Sequence, residues 1–230
     1  MAETAVKRAP GRGRFITFEG GEGSGKSTQI KTLAERLNAA KLRTVVTREP
    51  GGSPGAEIIR HLVLSGMGKL LGPDAETLLF AAARDDHVRT VIQPALSQGI
   101  WVLCDRFSDS TRAYQGSLGK VSPAVLNAME RVTIGDLKPD LTIILDVPVE
   151  VGMKRAAVRR GNGAPDRFEA EDVRFHQQLR EAYWKIAAAE PQRCVLIDAT
   201  AEPGAVAADI WAALRERFFA ASADNLASSA

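Results

Sequence analysis

Five short apolar runs, separated by stretches of helical periodicity, set the pattern of this chain. Residues 15–18, 44–47, 101–104, 141–145 and 194–197 each read as a strand, and almost none shows a polar residue at every second position. A strand buried on both faces loses its period of two, so these runs predict a parallel sheet covered by helices. Between them, apolar residues recur three and four apart, as Ile30, Leu33, Ala34 and Leu37 do. The spacing predicts helices over 26–42, 56–64, 74–97, 123–134, 149–160, 170–189 and 205–219. Strand and helix alternate throughout, which predicts an α/β fold in three layers, with a five-stranded parallel sheet at its centre.

The ends and interruptions complete the outline. Residues 1–13 are rich in Gly, Ala and basic side chains without periodicity, and predict a flexible leader. Residues 220–230 predict a flexible Ala/Ser tail, leaving one domain over 14–219 with no repeat or linker. Two segments sit poorly in a minimal three-layer core: residues 51–67, and residues 161–168 around the helix break Gly161-Asn162-Gly163-Ala164-Pro165. Extra loops at strand ends are where α/β proteins usually grip ligands.

Composition narrows the class. With 230 residues, 45% hydrophobic and 25% charged, the chain can bury a core without a metal or disulfide staple. Thirty Lys and Arg against 28 Asp and Glu leave a net charge of +2, which argues against a nucleic-acid coat or a polybasic membrane binder. A local basic cluster stays open. Cys104 and Cys194 form no CxxC pair and read as buried free thiols. No apolar run approaches the roughly 20 residues of a membrane span, and none has signal-peptide form, so the chain reads as cytoplasmic.

The first chemistry lies at 20–27. Gly20-Gly21-Glu22-Gly23-Ser24-Gly25-Lys26-Ser27 fits G-x-x-x-x-G-K-[ST] between a predicted strand and a predicted helix. Glycines let the backbone fold successive N–H groups around phosphate oxygens, at a helix start whose dipole favours anions. Lys26 adds a point charge for the β- and γ-phosphates, and the Ser27 hydroxyl suits Mg²⁺. No Asn-Lys-x-Asp segment occurs, which sets aside a guanine-selective GTPase.

Further charged segments close the strands. Thr47-Arg48-Glu49-Pro50-Gly51-Gly52 follows the second strand, and Asp105-Arg106-Phe107 the third, leading into Ser108-Asp109-Ser110-Thr111-Arg112-Ala113-Tyr114-Gln115-Gly116. Within the long helix, Phe80 and Arg84 share a face four residues apart. An aromatic ring and a guanidinium so placed suit a base, one by stacking and the other at its edge.

Taken in order, E-G-x-E-G-S-G-K-S, T-R-E-P-G-G, L-F-A-A-A-R, D-R-F-x-D-S-x-x-A-Y-Q-G and P-D-L-T-I-x-L-D resemble the bacterial thymidylate kinases (dTMP kinases), a family of P-loop nucleoside monophosphate kinases. The resemblance runs from about residue 15 to 198. It implies Mg²⁺- and ATP-dependent phosphorylation of dTMP to dTDP, a step towards dTTP, by a P-loop kinase fold with a lid near 155–168. ATP would be held by Gly20, Gly21, Glu22, Gly23, Ser24, Gly25, Lys26, Ser27 and Thr28, with Ser27 and Asp105 at the metal. Phe80 would stack on thymine, Arg84 would donate to its edge, and Thr111 and Gln115 would complete base recognition. Arg48, Arg60 and Arg106 would grip the 5′-phosphate, with Glu49 facing the acceptor and Tyr114 beside the deoxyribose. Glu22 would face the acceptor or a water bound to it. Phe107 stands where the family more often has Tyr or His.

Arg155, Arg159 and Arg160 approach the Gly161 break and Arg167 follows it. A basic helix end complements the helix dipole, and it equally suits a lid that carries arginine to a transferring phosphoryl group. Residues 21–24 of the P-loop hold no basic side chain, which leaves that role to the lid, with Arg160 and Arg167 the leading candidates beside Lys26, Asp105 and Arg106. The resemblance also implies a homodimer, with the helix around 78–95 as a candidate interface. It implies small-molecule substrates only, neither nucleic acid nor membrane. Other readings stay open here: a kinase acting as readily on dUMP or another nucleoside monophosphate, and a nucleotide-driven switch or assembly ATPase.

Overall fold

A computed structural model of the chain describes residues 12–119, 121–164 and 167–227. Most of the expected leader, Pro165 and the last three residues of the tail lie outside the described residues. β1 (Phe15–Glu19) passes through the Gly-rich loop into α1 (Lys26–Ala39). β2 (Thr44–Arg48) leads to α2 (Pro54–Leu64), a 3₁₀ turn at Met67–Leu71, and α3 (Pro73–His87). A π turn at Val88–Ile92 joins α3 to α4 (Gln93–Ser97), and β3 (Trp101–Asp105) follows. Next come α5 (Ser108–Thr111), a π segment at Arg112–Leu118 and α6 (Pro123–Thr133). β4 (Leu141–Asp146), α7 (Val149–Arg160), α8 (Val173–Ala189), β5 (Cys194–Asp198) and α9 (Pro203–Ala227) complete the order.

The five strands pair in parallel in the order β2-β3-β1-β4-β5. The expected three-layer α/β architecture is therefore the observed one. β1 is buried at every position, whereas the edge strands β2 and β5 are partly open. Side chains of the buried strands still alternate between two apolar layers. Ile16, Phe18, Leu103 and Ile143 pack against Leu33 and Leu37 of α1 and Ile210 and Leu214 of α9. Phe15, Val102 and Cys104 face the other way, onto Val88, Ile92 and Leu96. The central position of β1 puts its C-terminal loop at the point where the strand order reverses, the usual ligand crevice of such sheets.

Several boundaries differ from the sequence pattern for local reasons. α1 stops at Ala39 because Lys41 takes a left-handed φ of 64°. The helix expected over 74–97 contains a π turn just before Pro94, whose missing N–H would otherwise leave a carbonyl of the preceding turn unpaired. α8 begins at Val173 rather than at 170, since Asp172 caps it by accepting the Phe175 N–H at 2.8 Å. α9 continues to Ala227, past the expected end at 219. Gly13, assigned to the leader, is buried and donates its N–H to the Leu96 carbonyl at 2.9 Å. Residues 108–118, for which the pattern predicts no element, are helical.

One contact fixes the Gly-rich loop against the fold. Gly152, inside α7, lies so close to the loop that a Cβ there would meet the Glu22 carbonyl oxygen at 2.4 Å. A Cβ on Gly23, whose φ is 67°, would reach the Gly152 oxygen at 1.9 Å. Two glycines thus let a helix and a loop touch backbone to backbone. In an ordinary helix Gly→Ala gains about 1 kcal/mol. Gly152→Ala should instead destabilise the protein by about 1–3 kcal/mol, because the added methyl must push backbone aside. Urea unfolding of the two proteins measures the sign directly.

Candidate active site

The Gly-rich loop ends on Lys26, the first residue of α1, which is 7% exposed. Its Nζ donates to the Gly20 and Gly21 carbonyls, each at 3.0 Å, so the loop closes around its own ammonium group. Burial pushes the Lys26 pKa down to about 8, with Arg106 adding to the push while Asp105 and Glu22 oppose it. Ser27 donates to Asp105 Oδ2 at 2.9 Å, joining the start of α1 to the end of β3. Lys26, Ser27, Thr28 and Asp105 face one cleft of about 420 Å³.

The β2 end supplies the opposite wall. Glu49 is buried and accepts from Arg84 Nε at 2.7 Å and from His87 Nδ1 at 3.1 Å. His87, fully buried on α3, meets the Thr47 hydroxyl with Nε2 at 2.6 Å. Arg84 also donates to the Phe107 carbonyl at 3.2 Å and to Thr111 Oγ1 at 3.0 Å. A chain from Thr47 through His87 and Glu49 to Arg84 and Thr111 therefore orients the guanidinium. Gly52 makes room for it, since a Cβ there would lie 2.4 Å from Thr47 Oγ1 and 2.6 Å from His87 Nε2. Phe107 is fully buried under Arg84 and edge-on to Phe15 at 4.8 Å, an environment in which a Tyr or His tip would need a polar partner.

Arg48 and Arg60 are held from the flanks. Arg48 donates to Glu57 at 2.8 Å on the partly open side, and Arg60 donates to the Pro50 carbonyl at 2.5 Å. Phe80, Gln115 and Tyr114 join the same cleft, so every acceptor-side residue expected from sequence lines it. Gly20 and Gly21 instead line a small space behind the loop, with Tyr183.

Arg106 links the two walls. Its Nη2 donates to Glu22 at 2.7 Å, and its guanidinium lies 5.2 Å from the Tyr114 ring centre. Burial alone would raise the Glu22 pKa, but Arg106, Lys26 and Arg159 outweigh it and hold the carboxyl below its ordinary value. Behind Arg106 sits Glu19, the last residue of β1, with no exposure. Complete burial pushes its pKa up to about 7, and Asp109 adds to the push. Sequence reasoning assigned no role to Glu19, His87 or Tyr183. A carboxylate ending an apolar strand was the available signal for the first. His87 and Tyr183 sit at apolar helix spacing and carry no such signal.

The arginines around the helix break divide. Arg159 lines the cleft, donates to Glu169 at 2.8 Å and approaches Glu22 at 3.9 Å. Arg160 and Arg167, the leading candidates from sequence, are not in that cleft wall. Arg160 pairs with Glu169 at 2.9 Å, and Arg167 with Glu76 at 2.6 Å beside a neighbouring cavity of about 220 Å³. Arg159 and Arg160 thus converge on the two oxygens of one carboxylate, Glu169, and of the two only Arg159 also lines the cleft. Arg155 holds the Ala199 and Thr200 carbonyls at 2.8 and 3.1 Å. Phe168 closes the cleft edge-on to Tyr114 at 5.1 Å.

Similarity to known proteins agrees with this geometry. The thymidylate kinase family model matches residues 18–210. The thymidylate kinase of Nitrobacter hamburgensis is 78% identical over 225 residues, 98% of either chain. That of Bradyrhizobium diazoefficiens is 77% identical over 217 residues, covering 94% of this chain and 95% of its own. The crystal structure of thymidylate kinase from Ehrlichia chaffeensis matches with a TM-score of 0.72 at 33% identity, over 89% of this chain and all of that one.

The Glu49–Arg84 pair generates a stability test, because its side chains are 5% and 8% exposed. Arg84→Met should cost about 3–5 kcal/mol by stranding Glu49 in a low-dielectric interior. Adding Glu49→Gln should return part of that loss. Urea titration of the single and double variants gives both values, and equal stability of all three proteins contradicts the pairing.

Proposed function

This chain belongs to the thymidylate kinase family, and we propose that it transfers the γ-phosphoryl group of ATP to the 5′-phosphate of dTMP, giving dTDP and ADP. One observation carries the reading furthest: the P-loop end around Lys26 and the Phe80–Arg84 pair line a single cleft. A nucleotide switch or assembly ATPase needs the first of these and has no use for the second.

In this reading thymine stacks on Phe80, while Arg84, Thr111 and Gln115 meet its edge. Tyr114 lies by the deoxyribose, and Arg48, Arg60 and Arg106 hold the 5′-phosphate. A phosphate monoester is largely dianionic at neutral pH, its second pKa being about 6, so the acceptor needs no strong base. The protein's contribution is to place donor and acceptor in line and to neutralise charge on the oxygens. Lys26 and Arg106 supply fixed cations, and the lid arginines supply the rest. Arg159 is the best placed of these by its position in the cleft, with Arg160 next to it in the chain and Arg167 beyond the helix break. Phe168 against Tyr114 excludes water that would otherwise take the phosphoryl group.

The Ser27 hydroxyl and the Asp105 carboxylate, 2.9 Å apart and both facing the cleft, fit a hard cation that retains waters and arrives with phosphates. Among the described residues no three His, Cys, Asp or Glu gather to hold a metal unaided. Mg²⁺ held by Ser27 and Asp105 would neutralise phosphate charge.

We place the reaction in the cytoplasm, a reading that the free, buried Cys104 and Cys194 suit. Among the described residues no helix is long and apolar enough to cross a membrane. We also propose a homodimer built on α2 and α3, where Ile58 is 75% exposed and Leu78 55%. Sedimentation of the purified chain at micromolar concentration reads the oligomer directly.

A phosphorylation panel across nucleoside monophosphates tests the activity. dTMP should be the preferred acceptor, and indifference to dTMP combined with ATP turnover would overturn the reading. Lys26→Ala should cut turnover by about 10²-fold or more while dTMP affinity stays within about two-fold, since the lost charge acts on the donor. The Lys26 pKa near 8 adds a pH signature. Bound phosphates favour the ammonium form, so ATP binding should take up a proton near pH 8. Affinity should then weaken by up to about ten-fold per pH unit above that value. Calorimetry in buffers of differing ionisation heat measures the uptake.

A further inference from the structure

Arg106 is held in an unusual way. Its backbone φ is 69°, a left-handed conformation that costs a non-glycine residue about 1–2 kcal/mol and persists only where the surroundings hold it. The Arg106 N–H reaches the Phe18 carbonyl on β1 at 2.9 Å, and the next amide, Phe107 N–H, donates to Glu19 Oε1 at 2.8 Å. Glu19 thus grips the turn from beneath.

The other Glu19 oxygen grips the side chain. Oε2 accepts from the Ser110 hydroxyl at 2.6 Å and from the Tyr183 hydroxyl at 3.1 Å. Ionised, the Glu19 carboxylate only accepts, so each hydroxyl then spends its single hydrogen on it and turns a lone pair outward. Arg106 Nη1 donates to those lone pairs, to Tyr183 at 3.2 Å and Ser110 at 3.4 Å. With Nη2 on Glu22, the guanidinium is oriented from two sides. Tyr183 is 2% exposed and comes from α8, the helix that follows the break after α7.

We propose that Glu19 and Tyr183 are positioning residues for Arg106: they touch no substrate, and set the guanidinium where the acceptor phosphate meets it. The proposal rests on the reading that Arg106 grips that phosphate. It assigns work to a buried carboxylate that lies behind the P-loop and to a tyrosine 164 positions away in the chain.

A double-mutant cycle on dTMP affinity tests it. Calorimetric Kd values for dTMP are compared among wild type, Tyr183→Phe, Arg106→Ala and the double variant, with thermal unfolding recorded for each. A hydrogen bond to a charged group is worth enough that Tyr183→Phe should weaken dTMP binding about ten-fold and leave ATP affinity within about two-fold. In the Arg106→Ala background the same change should matter less than about two-fold, because the group it positions is gone. Glu19→Gln should repeat the pattern. Equal losses in both backgrounds, or no loss on Tyr183→Phe, overturn the proposal while leaving the Arg106 reading intact. If Arg106→Ala leaves dTMP affinity unchanged, the reading of Arg106 itself fails and takes the proposal with it.

Discussion

Cations gathered in a partly buried cleft repel one another and lose their water, so a protein keeps them there only by giving each a partner. Paired carboxylates meet that constraint for most of the arginines in and around the cleft. Arg106 has Glu22, Arg84 has Glu49, Arg48 has Glu57, Arg159 and Arg160 share Glu169, and Arg167 has Glu76. Lys26 alternatively sits among loop carbonyls. The net charge of +2 conceals this concentration because the balancing anions lie within hydrogen-bond distance of the cations they offset. Any anion entering the cleft would therefore compete with carboxylates already in place.

The sheet supplies the frame for that arrangement. β1 lies between β3 and β4, so its end, Glu19, stands beside the end of β3, Asp105, in register with Phe18. Lys26 and Ser27 begin the helix after β1, and Arg106 follows β3. Neighbouring strands thus bring these cations within one cleft without any long loop. α3 closes the far wall, and its buried His87 and Arg84 reach back to the β2 end through Glu49.

Much of this was legible in the chain because it is local. The Gly20–Ser27 spacing, the apolar strands and the Phe80–Arg84 interval are each written within a few residues. What escaped depends on distance or on direction. Tyr183 looks like any core aromatic at helical spacing, and only folding places its hydroxyl on Glu19. His87 likewise sits in an apolar register. That Arg159 lines the cleft while Arg160 and Arg167 do not depends on which way the helix end faces, and sequence does not state that angle. The π turn before Pro94 follows from a missing N–H, yet its register is set by packing of Val88 and Ile92 into the core.

The contact between Gly23 and Gly152 has a mechanical meaning. It sets α7 against the Gly-rich loop at one point, and the helix ends eight residues later at Arg160, about 12 Å away. A pivot with an arm of that length converts small rotations into useful travel. A tilt of about 10° at the pivot sweeps the arginine-bearing end by roughly 2 Å, given the 1.5 Å rise per residue. That is the difference between a hydrogen bond and none. The Gly-rich loop is therefore also the point from which the arginine-bearing end of α7 takes its place.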